Sequence, residues 1–415
     1  TPEDPILAKT VLVVQPIYNS DGNDKWGTNE RNRGHQDGPD PIGERANGQG
    51  LDLNRDCIKA ASPEMNAVLR DVYAKWDPEV VMDLHTTNGT RHGYILTYSP
   101  GLNPLCDPAV MTFTRDELLP KMRRDAKRLK GWEFFDYGDA SSRDGKWTFS
   151  TFACDPRYVT NYASLRNRVA ILSEAASFQP FKLRVESTHW FVRSLLDEIV
   201  KHGERICRIV READERTVAR AAADKVELGV RFATASRGTE DIKFEVARPA
   251  AEIDHRKAPT DFRILPMTVV DRFTSAKLSR LPAAYGFTGQ TKLLSLLLRH
   301  GIIVHRLERG VTAPAEFFQV SDLTVATSAF QGVKMTRLEG TFTPGEVSLQ
   351  TGDYFVPMNQ PLANLAFSIL EPESVDGAVA WDFIEPALSA GNPYPIAKLT
   401  KPVTAPSRQV SVEWP

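Results

Sequence analysis

A chain of 415 residues is longer than the roughly 250–300 residues over which one hydrophobic core usually grows, so two or more domains are expected. Its composition, 41% hydrophobic and 25% charged, is that of a globular protein and excludes fibrous and largely disordered classes. With a net charge of −2 and Lys and Arg spread along the chain, there is no electrostatic footprint for nucleic acid or an anionic membrane.

The longest apolar stretches, such as LLSLLL at 293–298, fall far short of the roughly 20 residues that span a bilayer, so no integral membrane segment is expected. Cys57, Cys106, Cys154 and Cys207 form no C-x-x-C pair, which argues against a zinc knuckle or a thioredoxin-like motif and leaves the compartment open. Thr1 is not an initiator Met and no signal-peptide pattern precedes it, so the beginning is expected to have been cleaved, trimmed or left out.

In chain order, TVLVVQPIY (10–18), EVVMDLH (79–85) and RVAILSE (168–174) are predicted strands, short and rich in β-branched residues. Ser62 and Pro63 make an N-cap and first-turn pair for a helix running to about Trp76. Leu195, Leu196, Ile199, Ile206 and Ile209 recur at near-helical spacing within a longer helix from roughly Leu183 to Ala223. Strands alternating with helices predict an α/β domain over 1–224, a mainly parallel mixed sheet flanked by helices.

The character changes near residue 225. VELGVRFA, IKFEVARP and TVVDRFT read as strands, and KLLSLLLRH (292–300) as a helix closed by Gly301 that leads into the strand IIVHRL. A strand–turn–helix unit is predicted over 352–374, so 225–415 is expected to be a smaller β-rich α+β accessory domain. It shows no catalytic constellation and reads as a structural, substrate-delimiting or interaction module. No repeat period of 20–50 residues appears.

The three predicted strands of the first half end on polar residues, NSDG (19–22), DLHTTNG (83–89) and SEAAS (173–177). Ligands bind outside the carboxyl ends of strands in open α/β sheets, so these ends point to one shared site. There a neutral His85 could ligate zinc, act as a base or be structural. Glu174, at the edge of the interior, could be a base whose pKa is raised by burial, or a salt-bridge partner of Arg166 or Arg168. Asn54 and Arg55, in GLDLNRD (50–56), suit recognition of a carboxylate, since Arg grips one through two parallel hydrogen bonds. No G-x-S-x-G elbow is present, which argues against a serine hydrolase.

In order, NSDG, NERNRG, DLNRD, DLH and LSE resemble the motifs of the carboxypeptidase A-like zinc metallocarboxypeptidases, especially bacterial members with an extra C-terminal domain, over about residues 10–180. The resemblance implies a zinc carboxypeptidase-like fold and one zinc ion bound by His85. It implies Glu174 as the general base, Asn54 and Arg55 as holders of the substrate's terminal carboxylate, and Arg33 as the oxyanion-stabilising arginine with Arg31 as its rival. A substrate-covering tyrosine falls to Tyr158 or Tyr162. The substrate implied is a peptide with a free C-terminus, and the setting periplasmic or secreted.

NSDG stands where the family has NPDG, a mild change in a turn that Asp-Gly still forms. The family's first zinc motif, His-x-x-Glu, does not precede NSDG in this sequence, so two further ligands are expected upstream of Thr1. The single His-x-x-Glu, His305 to Glu308, reads as a strand, where side chains three apart face opposite ways, and is rejected as the half-site. His92 reads as a supporting or substrate-side group, and His35 as a loop residue near Arg33. Two alternatives stand beside the carboxypeptidase: a related zinc deacylase or amidase, and a metal-free carboxylate-binding protein without activity. Side-chain specificity and oligomeric state are not readable.

Overall fold

The computed structural model describes residues 4–223, 225–245, 254, 256–385 and 388–414. The first half carries β1 (Val80–Thr86), β2 (Leu96–Pro100), β3 (Phe134–Asp136), β4 (Asp139–Arg143), β5 (Lys146–Ser150) and β6 (Val169–Ala175). One sheet has the order β1-β6-β2-β3, with β1 parallel to β6, β6 antiparallel to β2 and β2 parallel to β3. The mixed, helix-flanked sheet is the α/β arrangement expected.

β6, the run VAILSEA, is buried along its whole length, which is why it reads as a continuous apolar strand rather than an alternating one. The long helix Phe181–Arg220 packs on the same sheet through Phe191, Leu195, Ile206, Val210 and Ala213, a buried stripe at helical spacing. They share a core with Leu96, Tyr98, Met122, Phe134 and Ile171. The predicted helix after Ser62 is present over 63–76, its first turn held by the Ser62 hydroxyl accepting from the Met65 N–H at 3.1 Å.

One predicted strand does not form. Residues 10–18 make no sheet pairing, and Val11, Leu12, Val13, Val14 and Ile17 are exposed. β-branched composition favours a pleated, half-buried surface, and among the described residues no neighbouring strand supplies one here. NSDG consequently opens a short helix, Ser20–Asp24, capped by Asn19, instead of ending a strand.

β7 (Glu227–Glu245) and β8 (Phe262–Arg280) form a long antiparallel ribbon whose β8 pairs parallel with β5, giving a second sheet of order β4-β5-β8-β7. The ribbon's far end grips the loop that follows β1: Arg91 pairs with Glu245 and donates to the Lys257 carbonyl at 2.8 Å. An antiparallel sheet follows, built from β9 (Ala284–Phe287), β10 (His305–Leu307), β11 (Val311–Val325), β12 (Thr336–Leu349), β13 (Tyr354–Pro357), β14 (Ile396–Leu399) and β15 (Ser407–Gln409) in the order β12-β11-β14-β9-β13-β10-β15.

Helices Thr291–Arg299 and Ala363–Leu370 pack with it, so the second half is β-rich with helices, as expected. A continuous apolar core joins the halves: Ile58, Leu69, Tyr162 and Leu165 are buried together with Tyr285, Leu296, Phe318 and Phe367. Burial on this scale makes the junction a packed interior rather than a loose linker, since each large apolar side chain removed from water contributes about 1.5–3 kcal/mol.

Candidate functional site

The parallel pairing of β1 and β6 places His85 opposite Glu174. Neighbouring strands lie about 4.8 Å apart, and parallel register sends matched side chains to the same face, so the two groups meet at the carboxyl edge of the sheet. Asp83, two residues before His85, shares that face, and its Oδ2 lies 2.8 Å from His85 Nε2. Burial depresses the imidazole's pKa, but the Asp83 carboxylate, its hydrogen bond and the Glu174 charge outweigh this and raise it to about 9.

Burial pushes the Glu174 carboxyl up to about 8, opposed by His85 and Arg45 and reinforced by Asp83 and Asp139. Its Oε2 is buried and has no hydrogen-bond partner among the described residues. A carboxyl with a bare oxygen and an affinity for protons near neutrality has the properties of a general base. Arg166 and Arg168 are not its partners: Arg166 pairs with Asp77 at 3.4 Å and Arg168 with Asp214 at 2.9 Å, at the opposite end of β6.

Asn54 and Arg55 lie in the short turn of helix Leu53–Arg55, which Asp52 caps by accepting from the Asn54 N–H at 3.0 Å. Asn54 Oδ1 accepts from the Val159 N–H at 3.2 Å. The Arg55 guanidinium stacks over the Tyr158 ring at 4.5 Å and its Nη1 donates to the Asn54 carbonyl at 2.6 Å, which together fix the orientation of a planar cation suited to a carboxylate. Tyr158 continues through Phe152 to Tyr137, with ring centroids 5.2 and 5.8 Å apart. Burial raises the Tyr137 hydroxyl's pKa, the charges of Glu174 and Asp139 add to this and Arg55 opposes it, so this aromatic group lies within electrostatic reach of Glu174.

The NSDG turn holds the loop that carries Arg45. Asn19 donates to the Arg45 carbonyl at 2.8 Å, and Asp21 accepts from the Gly48 N–H at 3.0 Å. A Cβ on Gly22 would lie 2.6 Å from the carbonyl oxygens of Glu44 and Ala46, so only glycine permits this approach. The loop so held presents Arg45, whose Nε meets Asp52 Oδ2 at 2.8 Å and whose charge reaches both His85 and Glu174.

Arg33 is half-buried, its guanidinium pushed below its ordinary range by burial and by Arg45, with Asp52 opposing. Arg31 points away and pairs with Glu44 at 3.2 Å on the surface. Arg45, Asp83, Asp139 and Tyr137 are absent from the sequence reading. Asp83 alone carried a local signal, its same-face spacing to His85.

Tyr162 does not join the group. It is buried, and its hydroxyl meets His300 Nδ1 at 2.8 Å, so of the two tyrosines Tyr158 is the one beside Arg55. His92 is buried against Tyr94 and Phe178, and burial lowers its pKa to about 4. His35 packs against the backbone at Gly89, in the loop after β1. His305 lies in β10 of the far sheet, stacked on Phe355 at 5.2 Å.

Among the described residues no group of three or more His, Cys, Asp or Glu could hold a metal ion. His85 is engaged by Asp83, and Glu174 is the only other acid matched to it across β1 and β6. These residues by themselves do not compose a zinc centre, in which three protein ligands are usual.

No family model matches the chain, and no solved structure matches it. Curated fungal proteins do. Carboxypeptidase 2 of Trichophyton equinum and of Trichophyton tonsurans are each 24% identical over 415 aligned positions, covering 95% of this chain and 70% of those proteins. Carboxypeptidase 2 of Trichophyton rubrum is 23% identical over the same span. The chain is a distant relative of fungal carboxypeptidases. These relatives lend no support to a specifically bacterial subtype.

Proposed function

We propose that this chain carries the base and the carboxylate-recognising part of a carboxypeptidase-type peptide hydrolase. The observation that carries the reading is the matched placement of His85 and Glu174 on adjacent parallel strands, where the charge of Arg45 reaches both. The names of the fungal relatives support the same class of reaction.

In this reading Asn54 and Arg55 hold the terminal carboxylate, which selects the last peptide bond for attack. Glu174 takes a proton from the attacking water through its bare oxygen and returns it to the leaving amine. In the same reading Arg33 and Arg45 supply the positive charge that stabilises the developing oxyanion. Zinc belongs to the proposal as a partner of His85 whose remaining ligands come from outside the described residues. A periplasmic or secreted setting goes with the same resemblance. No helix among the described residues is long and apolar enough to cross a membrane.

A metal-free carboxylate-binding protein is the second reading, favoured by the hydrogen bond that occupies His85 and by the lack, among the described residues, of a cluster of three ligands. Hydrolysis of N-acyl dipeptides with free and with amidated C-termini, with and without added zinc, decides between them. Release of the last residue from the free peptide alone supports the carboxypeptidase, equal cleavage of both supports a deacylase or amidase, and binding without turnover supports the second reading.

A further inference from the structure

The turn that carries Asn54 and Arg55 is bracketed by a single residue of the accessory sheet. β11 and β12 are joined by a hairpin whose tip reaches back across the junction of the two halves. There Gln331 Oε1 accepts from the Asp52 N–H at 2.8 Å, and the Gln331 carbonyl accepts from Lys59 Nζ at 3.0 Å. Asp52 and Lys59 lie on either side of the segment 53–58, so one side chain and one backbone carbonyl fasten both ends of the carboxylate-binding turn.

The turn chemistry is informative. Phe330 and Val333 exchange backbone hydrogen bonds at 2.8 and 3.1 Å, and the two residues between them, Gln331 and Gly332, have φ of +51° and +80°. A two-residue hairpin with both central residues in the left-handed region normally takes Asn, Asp or Gly at the first position. Gln there is strained, and such strain persists where surrounding contacts over-determine it. The contacts are present: Lys59 lies over the Trp381 ring at 5.1 Å, the Phe330 and Trp381 rings are 6.1 Å apart, and Arg157 lies 5.3 Å from each.

Asp52 is the branch point of the site. Its Oδ1 caps the turn of Asn54, and its Oδ2 lies 2.8 Å from Arg45 and 4.0 Å from Arg55. Whatever fixes the Asp52 backbone therefore fixes the relation between the arginine proposed to hold the carboxylate and one proposed to stabilise the oxyanion.

We propose that Gln331 is a positioning residue for terminal-carboxylate recognition, so that the accessory β-sheet completes the substrate site rather than merely accompanying it. The inference rests on the carboxylate-binding reading of Asn54 and Arg55. The test is titration calorimetry of this chain with an N-acetyl dipeptide, once with a free and once with an amidated C-terminus, for wild type, Q331G and Q331E.

Gln331→Gly relieves the left-handed strain and removes the acceptor, so a purely structural role predicts unchanged affinity and equal or higher thermal stability. Positioning predicts a Kd for the free peptide raised about five- to tenfold, the loss expected for one hydrogen bond, with the amidated peptide unaffected. Gln331→Glu keeps an acceptor at the same reach and restores affinity to within about twofold of wild type. If wild type discriminates the two peptides and Q331G binds the free one as wild type does, the inference is overturned while the functional reading stands. If wild type does not discriminate them, the carboxylate-binding reading fails, and the inference with it.

Discussion

The hydroxyl of Tyr162 donates to Nδ1 of His300 at 2.8 Å, and Nε2 of the same imidazole donates to the Ile58 carbonyl at 2.9 Å, so one neutral histidine of the second half is locked between two elements of the first. Burial, with the charges of Arg299 and Arg166, lowers its pKa to about 3 against the pull of the Ile58 bond. The unfolded imidazole titrates near 6.5. The stability that His300 contributes is therefore fully present above about pH 6.5 and is lost as pH falls from there towards about 3.

Wild-type stability should accordingly fall between pH 6.5 and 4 with a component of up to about 1.4 kcal/mol per pH unit from this site. His300→Gln should flatten that component while lowering stability at pH 7 by about 1–3 kcal/mol through its lost buried hydrogen bonds. Urea unfolding of both proteins at pH 7, 6, 5 and 4 measures the slopes. Equal slopes would show that His300 does not sense the junction.

Glu174→Gln should leave the fold intact, because Oε2 has no partner to lose and the side chain keeps its shape. In a turnover assay of the active protein, kcat should drop about 10²–10⁴-fold, as expected when a general base is replaced by an amide. A variant retaining more than about a tenth of wild-type kcat would remove Glu174 from the base role.

Arg55→Ala should weaken peptides with a free C-terminus by about 10–150-fold, the worth of one charged hydrogen-bonding group at about 1.5–3 kcal/mol. Amidated peptides should be nearly unaffected, so the preference between the two collapses. Arg31→Ala, which removes a surface pair with Glu44, should change neither affinity. A uniform loss on both peptides in R55A would point to a packing role for the Arg55–Tyr158 stack.

Asp376 accepts from the Arg157 N–H at 2.7 Å and from Trp381 Nε1 at 2.9 Å, and pairs with the Arg157 guanidinium at 2.9 Å, all in the interior. Asp376→Ala leaves Arg157 with Asp155 alone, at 3.4 Å, and should cost about 3–5 kcal/mol. Lys182→Ala removes an exposed pair with Glu186 at 3.8 Å and should change stability by less than about 0.5 kcal/mol. Thermal unfolding of the two variants side by side tests the contrast, and similar melting temperatures would refute it.

His85, Glu174, Asn54 and Arg55 were legible as candidates from a polar residue closing a β-branched run and an Asn-Arg pair ahead of a capped helix, while their roles came from the family resemblance. Local pattern also misled. Residues 10–18 have the composition of a strand, but a strand exists only where a neighbouring backbone accepts its hydrogen bonds, and none among the described residues does so. Tyr158 and Tyr162 stood equal in sequence and were separated only by what surrounds them, Arg55 in one case and His300 in the other.

The sequence by itself determined where helices and the buried strand β6 run, through apolar periods of 3.6 residues and unbroken apolar stretches, and which polar side chains stand at strand ends. Only the tertiary structure decided that Arg45 enters the site on the loop held by Asn19 and Gly22, and that Gln331 fastens Asp52 from 279 positions away. Periodicity is a property of neighbours along the chain. Long-range contacts depend on how separate elements pack against one another, and no local pattern around Arg45 or Gln331 records that.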